Sequence, residues 1–315
     1  MAMTTAATTT TTLEDLPADV LACALRRLDG RSLAAASCAT AGLRALAADP
    51  ETWRALCLAE WPSLALPGPG ARLLAAAIPP RRLFADAFPF PSPEAAALAG
   101  ELHLPVPAGE LVSAVDVCCG GAPLLSRVVA TPASSPWFLG SPFRVEAVER
   151  KRPPAPASAA PAPAELELSW VVADPARGRA VNVSSRRPVA VDRHWYTGET
   201  LVRFAVVLGG CKFEATVACA EGSGHVAEVA LAVEDADGAA VSGEGTLRLL
   251  AAAMEAPRRG GEREPEEAKR RYQEFVRRKK GRKESKARRE ALVDLCCSAV
   301  SAAVVLTCLA AVALR

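Results

Sequence analysis

The chain has 315 residues, enough for a helical module and one further domain of ordinary size. Its 37 Lys and Arg against 35 Asp and Glu leave a formal charge of +2, which excludes the global basic field that draws nucleic acid. Its ten cysteines lack the paired spacing of zinc sites or small disulfide scaffolds and read as reduced thiols facing the cytosol or nucleus.

Residues 1–12 are a threonine and alanine tract without the basic flank and apolar run of a secretory signal, and read as a disordered tail. Residues 13–61 carry three short helical patterns. Pro17 suits a first helical turn, where its missing N–H would be unpaired anyway, and Val20, Leu21, Ala24, Leu25 and Leu28 recur at helical spacing until Asp29-Gly30. Ser32 can cap a second helix, whose apolar positions Leu33, Ala36, Ala39, Leu43 and Leu46 run to the stop at Asp49-Pro50. Trp53, Leu56, Cys57 and Trp61 form the third stripe. Three short helices cannot hide this many apolar side chains, which points to a partner surface.

Leu16-Pro17, the Leu21, Leu25 and Leu28 spacing, Ser32-Leu33, Cys38, Leu43, Leu46, Asp49-Pro50, Trp53 and Leu56 resemble the F-box motif. The resemblance implies docking to the Skp adaptor of cullin-RING ubiquitin ligases, with Leu16, Pro17, Leu21, Leu25, Leu28, Leu33, Leu43 and Leu46 as candidate contacts and no catalytic role. Where F-boxes commonly follow the second-helix cysteine with a basic and aromatic pair, this chain has Ala39-Thr40-Ala41-Gly42.

Residues 62–100 read as a helical connector. Residues 101–256 read as a β-rich candidate substrate-binding domain, because Leu111–Val117, Phe143–Val148 and Leu166–Val172 alternate or run apolar over strand lengths. Further strands are expected at Ala180–Val183, Pro188–Val191, Leu201–Leu208, Phe213–Cys219, His225–Val233 and Gly245–Leu250, with hairpin turns at Gly209-Gly210 and Asp237-Gly238. Short strands divided by turn residues argue for an antiparallel, sandwich-like arrangement, and the Pro- and Ala-rich residues 151–164 for an exposed insertion. His103, His194 and His225 are far apart, and His194 beside Trp195 and Tyr196 reads as part of an aromatic cluster at a sheet edge. Cys211 and Cys219 would share a strand face without other metal ligands near them. No phosphate-cradling loop, kinase signature or nucleophile elbow occurs, so neither a cofactor, a metal nor a catalytic residue is expected.

Residues 257–291 form a charged basic segment and residues 292–315 a candidate transmembrane tail anchor. Leu295 to Leu314 carry no charge, and a helix of that length spans about 30 Å, the thickness of a hydrocarbon core. Arg277, Arg278, Lys279, Lys280, Arg288 and Arg289 flank it and by the positive-inside rule stay cytosolic. A buried core helix is the competing reading. The basic run has no interleaved aromatics beyond Tyr272 and Phe275, so anionic lipid is expected to meet it and nucleic acid is not. Cys296 and Cys297 sit at the boundary, where acylation is chemically accessible, although two small apolar residues there need no such role. The endoplasmic reticulum is the default membrane, with nucleus or cytoplasm as the alternative.

Together these segments describe an α+β chain: a three-helix F-box, an antiparallel β-rich middle domain, and a basic helix leading to a single transmembrane helix. Ser169–Pro175, Asn182–Ser185 and Val191–Tyr196 resemble a plant group of F-box proteins with a hydrophobic carboxyl-terminal tail, some linked to cytokinin responses. That resemblance implies a substrate-receptor subunit of a Skp–cullin–F-box ubiquitin ligase, with Skp adaptor, cullin, a protein target and membrane lipid as partners. The alternative is a membrane-tethered, lectin-like or protein-interaction module outside ubiquitination.

Overall fold

The computed structural model describes residues 16–91, 109–149, 162–222, 224–259 and 264–314. The expected tail at 1–12, the first residues of the N-terminal module, the end of the connector, His103 and nearly all of the 151–164 insertion lie outside them.

The first helix, α1 (Ala18–Leu25), starts after Pro17, which takes the cap position with φ −54° and ψ 140°. The next, α2 (Gly30–Ala39), is capped by Asp29 and not by Ser32. The Asp29 carboxylate accepts from both the Ser32 amide and the Ser32 hydroxyl at 2.9 Å, so Ser32 is the donor inside the first turn. Gly30 is more than a break, because a Cβ there would lie 2.1 Å from the Phe84 ring. Two helices stand where one second helix was expected. Thr40 is extended (φ −142°, ψ 162°), and its hydroxyl accepts from the Leu43 amide at 3.2 Å to cap α3 (Ala41–Leu46). Asp49 then caps α4 (Pro50–Glu60), with Pro50 opening the first turn.

Helices also follow α4. A short α5 (Pro69–Arg72) runs into a π-helical turn at Leu73–Ala77, followed by α6 (Pro80–Ala87). Phe84 of α6 stands 5.5 Å from Trp53, 5.7 Å from Trp61 and 4.7 Å from Phe88, ring centre to ring centre. The connector thus completes the core of the N-terminal helices.

The β-rich part is antiparallel throughout. Its strands are β1 (Phe90–Pro91), β2 (Glu110–Cys119), β3 (Ala122–Pro132), β4 (Arg144–Val148), β5 (Leu166–Asp174), β6 (Arg179–Asn182), β7 (Ala190–Arg193), β8 (Thr200–Leu208), β9 (Cys211–Cys219), β10 (Val226–Glu234) and β11 (Arg258–Arg259). They form a sheet ordered β3-β2-β5-β6, a second ordered β4-β10-β9-β8-β7, and a small β1-β11 pair. The helix α7 (Pro136–Gly140) precedes β4. Gly209 and Gly210, both at positive φ, make the expected β8–β9 turn.

One expected strand is a helix. Residues 245–250 lie inside α8 (Gly243–Glu255), capped by the Ser242 hydroxyl, which accepts from the Gly245 amide at 3.2 Å. Thr246, Leu247, Leu250, Ala251 and Met254 are its buried stripe, and this three-and-four spacing prevails over the strand character of the short Thr-Leu stretch. Last comes α9 (Glu264–Ala313), 50 residues without a break between the basic segment and the apolar tail.

Pleating sorts the side chains of the four-stranded sheet. Leu111, Val115 and Val117 of β2, with Leu166, Leu168, Trp170 and Val172 of β5, face the five-stranded sheet and meet Val202, Phe204, Phe213, Val217 and Leu231. Val112 and Ala114, with Val171 and Ala173, face the other way and pack with Leu33, Trp53, Trp61, Leu73, Leu83 and Phe84. Both faces are covered, which is why β2 reads as a nearly continuous apolar run.

Asp116 on the helix-facing side ties the two halves together. Its carboxylate accepts from the Ser63 amide at 2.8 Å, the Ser63 hydroxyl at 2.6 Å and the Ser126 hydroxyl at 2.6 Å. Trp61 adds an indole N–H donated to the Ser169 hydroxyl at 2.9 Å. Asp116 is 1% exposed. Asp116→Ala leaves three donors without their acceptor, and urea unfolding should show a loss of about 2–4 kcal/mol. Ser126→Ala, which leaves the Ser63 pair intact, should lose about 1 kcal/mol. Equal losses in the two variants would show that Ser63 does not carry the clamp.

Candidate functional site

The N-terminal helices leave an open apolar groove of about 500 Å³ between α1 and α3, lined by Leu16, Ala18, Leu21, Thr40, Gly42, Leu43, Ala45 and Leu46. The break at Thr40 turns α3 away from α2 and sets Leu43 and Leu46 opposite Leu21. Of the eight candidate contacts, the groove brings together Leu16, Leu21, Leu43 and Leu46. Leu16 is 40% exposed and Pro17 beside it is exposed. Leu25 and Leu33 are buried in the core, and Leu28 is half-buried against it, so these three support the surface from beneath. Val20, 49% exposed on α1, is an apolar side chain absent from the candidate set.

A second cavity, of about 210 Å³, opens where α2, α4, α6, the four-stranded sheet and the start of α9 converge, and its charged groups are Arg31, Glu60, Asp116, Glu167 and Arg186. Each of them meets a neighbour within the fold. Arg186 reaches Glu60 at 2.9 Å and Glu167 at 3.4 Å, Arg187 reaches Glu167 at 3.0 Å, and Arg31 lies over the Phe88 ring. No spacing in the sequence points to this cluster.

Among the described residues, Cys57, Cys211, Cys219 and His194 sit in packing and turn positions. Cys211 and Cys219 do share a face, but they cap opposite ends of β9 and pack on the sandwich core. Burial pushes the Cys219 thiol up to about 11 and the Cys57 thiol up to about 12, the latter donating to the Pro80 carbonyl at 3.3 Å. Among the described residues no group of three or more His, Cys, Asp and Glu could hold a metal ion. His194 lies in the β7–β8 turn, where its Nδ1 accepts from the Thr197 amide at 3.2 Å, beside the exposed Trp195 and Tyr196.

The first part of α9 packs on the outer face of the five-stranded sheet. Phe275 is buried there, and the Lys212 ammonium lies 5.7 Å from the Tyr272 ring centre and 5.9 Å from that of Phe275. Lys279 is not free for lipid, since it pairs with Glu234 at 2.7 Å, and Arg282 pairs with Asp237 at 3.2 Å. Arg277, Arg278, Lys280, Arg288 and Arg289 are exposed, Arg278 also pairing with Glu274. Further on, α9 is long and apolar enough to cross a membrane, with a mean hydropathy of 2.2 over its most apolar 18 residues and none of that stretch buried. Cys296 and Cys297 are exposed on it.

No protein-family model matches the chain, and no solved structure does. Curated proteins do. A probable F-box protein of Arabidopsis thaliana, At2g36090, is 36% identical over 281 residues, covering 86% of this chain and 84% of the relative. The chain belongs to the F-box protein family. A second Arabidopsis relative, F-box protein At3g44326, is 36% identical over 299 residues, covering 84% of this chain and 80% of its own. F-box protein GID2 of Oryza sativa subsp. japonica is 46% identical over 50 residues, which is 16% of this chain and 24% of that one.

The cavity gives this F-box protein a pH signature. Burial raises the Glu60 carboxyl above its ordinary range, and the opposing pull of Arg186 does not cancel it. The folded chain therefore holds the Glu60 proton more tightly than the unfolded chain does. Its contribution to stability is fully present below the ordinary carboxylate range and is lost as pH rises through the folded pKa. Between about pH 4 and neutrality the Tm of Glu60→Gln should rise more, or fall less, than that of the wild type. A thermal-unfolding series with the same slope for both chains would remove Glu60 as its source.

Proposed function

We propose that this F-box protein is the non-catalytic substrate receptor of a Skp–cullin–F-box ubiquitin ligase, anchored by α9 with its bulk in the cytosol. The observation that carries the reading is the open groove between α1 and α3. In a member of this family it offers exposed and half-exposed apolar side chains on two short helices, the form of surface that a partner helix or groove covers. The adaptor and, through it, the cullin would meet the chain at Leu16, Pro17, Leu21, Leu43 and Leu46, while Leu25, Leu28 and Leu33 hold those positions in place. The sandwich would present a protein target for ubiquitination, and the chemistry would belong to the partner subunits.

The uncharged end of α9 supports a tail anchor, and the exposed Arg288 and Arg289 just before it suit an anionic cytosolic leaflet. The endoplasmic reticulum is the default site of insertion, Cys296 and Cys297 are the thiols an acyltransferase would reach there, and the likeness of Ser169–Pro175 and Val191–Tyr196 to the cytokinin-linked group makes a hormone response the proposed setting.

Co-purification of Skp adaptor and cullin with the detergent-solubilised chain tests the receptor reading. Adaptor should be retained by the wild type and reduced about tenfold or more by Leu16→Ala/Pro17→Ala, whose exposed side chains leave the fold unaltered. Adaptor absent from both samples would turn the reading toward a membrane-tethered binding module. Ending the chain after Arg289 should move it from the membrane pellet to the soluble fraction, and a truncated chain that still pellets with membranes would show that α9 is not the anchor.

A further inference from the structure

The five-stranded sheet ends at β7, which among the described residues pairs with β8 alone. Alternate backbone amides and carbonyls on its outer side are therefore open to another strand, and Val191 is 45% exposed beside them. The turn that follows carries Trp195 and Tyr196, 89% and 79% exposed, with ring centres 5.7 Å apart and edge to face. This turn is built, not loose. The His194 amide donates to the Glu199 carbonyl at 2.7 Å, the Gly198 amide to the His194 carbonyl at 3.0 Å, and the Thr197 hydroxyl to the Glu199 carboxylate at 2.9 Å. Gly198 sits at φ 70°, where a Cβ would press on the Glu221 carboxylate. Two large aromatic rings on a fixed turn are the economical form of a protein contact, because little freedom is lost when they are covered.

The strand register says where this turn lies. Arg193 and Thr200 pair at the same end of the sheet as Cys219, where Arg193 also meets Glu221. The apolar part of α9 leaves past the other end, beyond the contacts of Lys279 with Glu234 and Arg282 with Asp237. The nine residues of β8 separate the two ends by about 27 Å, so the rings lie at the end opposite the one past which the apolar part of α9 leaves. Charge narrows the occupant further. Asp192, Glu199 and Glu221 surround the turn against Arg193 and Arg203; Asp192 pairs with Arg203 and Glu221 with Arg193, yet both carboxylates stay 57% exposed, which leaves the rim one negative charge in excess.

We propose that the outer edge of β7 and the Trp195-Tyr196 turn form a peptide-docking surface that takes an extended protein segment carrying alternate apolar and basic side chains. Its backbone would continue the sheet, its apolar side chains would cover Val191 and the two rings, and its basic groups would meet the acidic rim. The biological role of the surface rests on the receptor reading above, since it would hold the ligase target, but the binding itself does not require the adaptor.

A random-peptide display library panned on the full chain in detergent tests this, with enriched peptides then measured by fluorescence polarisation. Enriched sequences should alternate apolar residues with Lys or Arg and weaken in high salt. Their affinity should fall about tenfold or more in Trp195→Ala and in Tyr196→Ala. Trp137→Ala, which removes a ring 79% exposed on α7, should leave it unchanged. No enrichment, or peptides that bind both turn variants as tightly as the wild type, would overturn the proposal. Quenching by brominated phospholipid in the vesicle-reconstituted chain that disappears in Trp195→Phe would assign the turn to lipid and overturn it too. Adaptor co-purification should be unaffected by all of these substitutions, so loss of the peptide site and loss of the ligase role are read separately.

Discussion

A strand with apolar side chains on both faces must be covered twice, and β2 and β5 impose that requirement on everything around them. One cover is the five-stranded sheet. The other is the set of N-terminal helices, whose Trp53, Trp61, Leu83 and Phe84 share a core with Val112, Ala114, Val171 and Ala173. Burial at about 25 cal/mol per Å² of apolar surface makes this second cover the main reason that the helices are docked rather than suspended from a linker. The apolar surplus of the helical module therefore has two destinations, the sheet and the groove between α1 and α3. Asp116 then fixes the register of the contact, since a carboxylate that accepts from both the amide and the hydroxyl of Ser63 admits only one placement of that turn.

This docking matters for a receptor. A ligase that holds its adaptor at one surface and its target at another can deliver the target to a fixed point only if the two surfaces do not move independently. Shared apolar packing supplies that rigidity here, and the connector adds to it. Asp86 of α6 accepts from the Arg179 guanidinium at 2.9 Å and the Ala180 amide at 3.3 Å, while Arg258 donates to the Ala180 carbonyl at 3.0 Å. Burial pulls the Arg258 guanidinium down to about 10, still charged at neutral pH, so the seam keeps its cation under physiological conditions. On the opposite side, Tyr272, Phe275, Lys279 and Arg282 recur at intervals of three and four residues and turn one face of α9 onto the sheet. The sandwich is thus clasped by helices on both outer sides.

What the sequence made legible followed the strength of its patterns. The strands β2, β5, β8, β9 and β10 were readable because each is long and apolar on at least one face, and the Gly209-Gly210 turn because the positive φ of both residues suits glycine. The edge strand β3 lacks a legible pattern because Pro123 and Pro132 stand at its ends and none of its residues is fully buried. The misreading of residues 245–250 came from taking too short a window. The Ala251–Glu255 continuation and the Ser242 cap settle a helix that Gly245–Leu250 alone leaves ambiguous. The groove was legible only through the family motif, since periodicity marks Leu33 and Leu43 alike, both are buried in the core, and only packing shows that Leu43 also lines the groove. The cavity charges were not legible at all, because Arg31, Glu60, Glu167 and Arg186 are brought together by tertiary docking from distant parts of the chain.

The same packing argues for docking over chemistry. A catalytic carboxylate must keep a lone pair or a proton free for substrate. Asp116 is engaged by Ser63 and Ser126, while Glu60 pairs with Arg186 and Glu167 with Arg186 and Arg187. A reactive thiol needs a lowered pKa and access, yet Cys57 and Cys219 are buried with theirs raised. These five groups hold the fold together. Apolar and aromatic side chains face outward in the α1–α3 groove and on the β7–β8 turn, and surfaces of that composition lower their free energy by being covered.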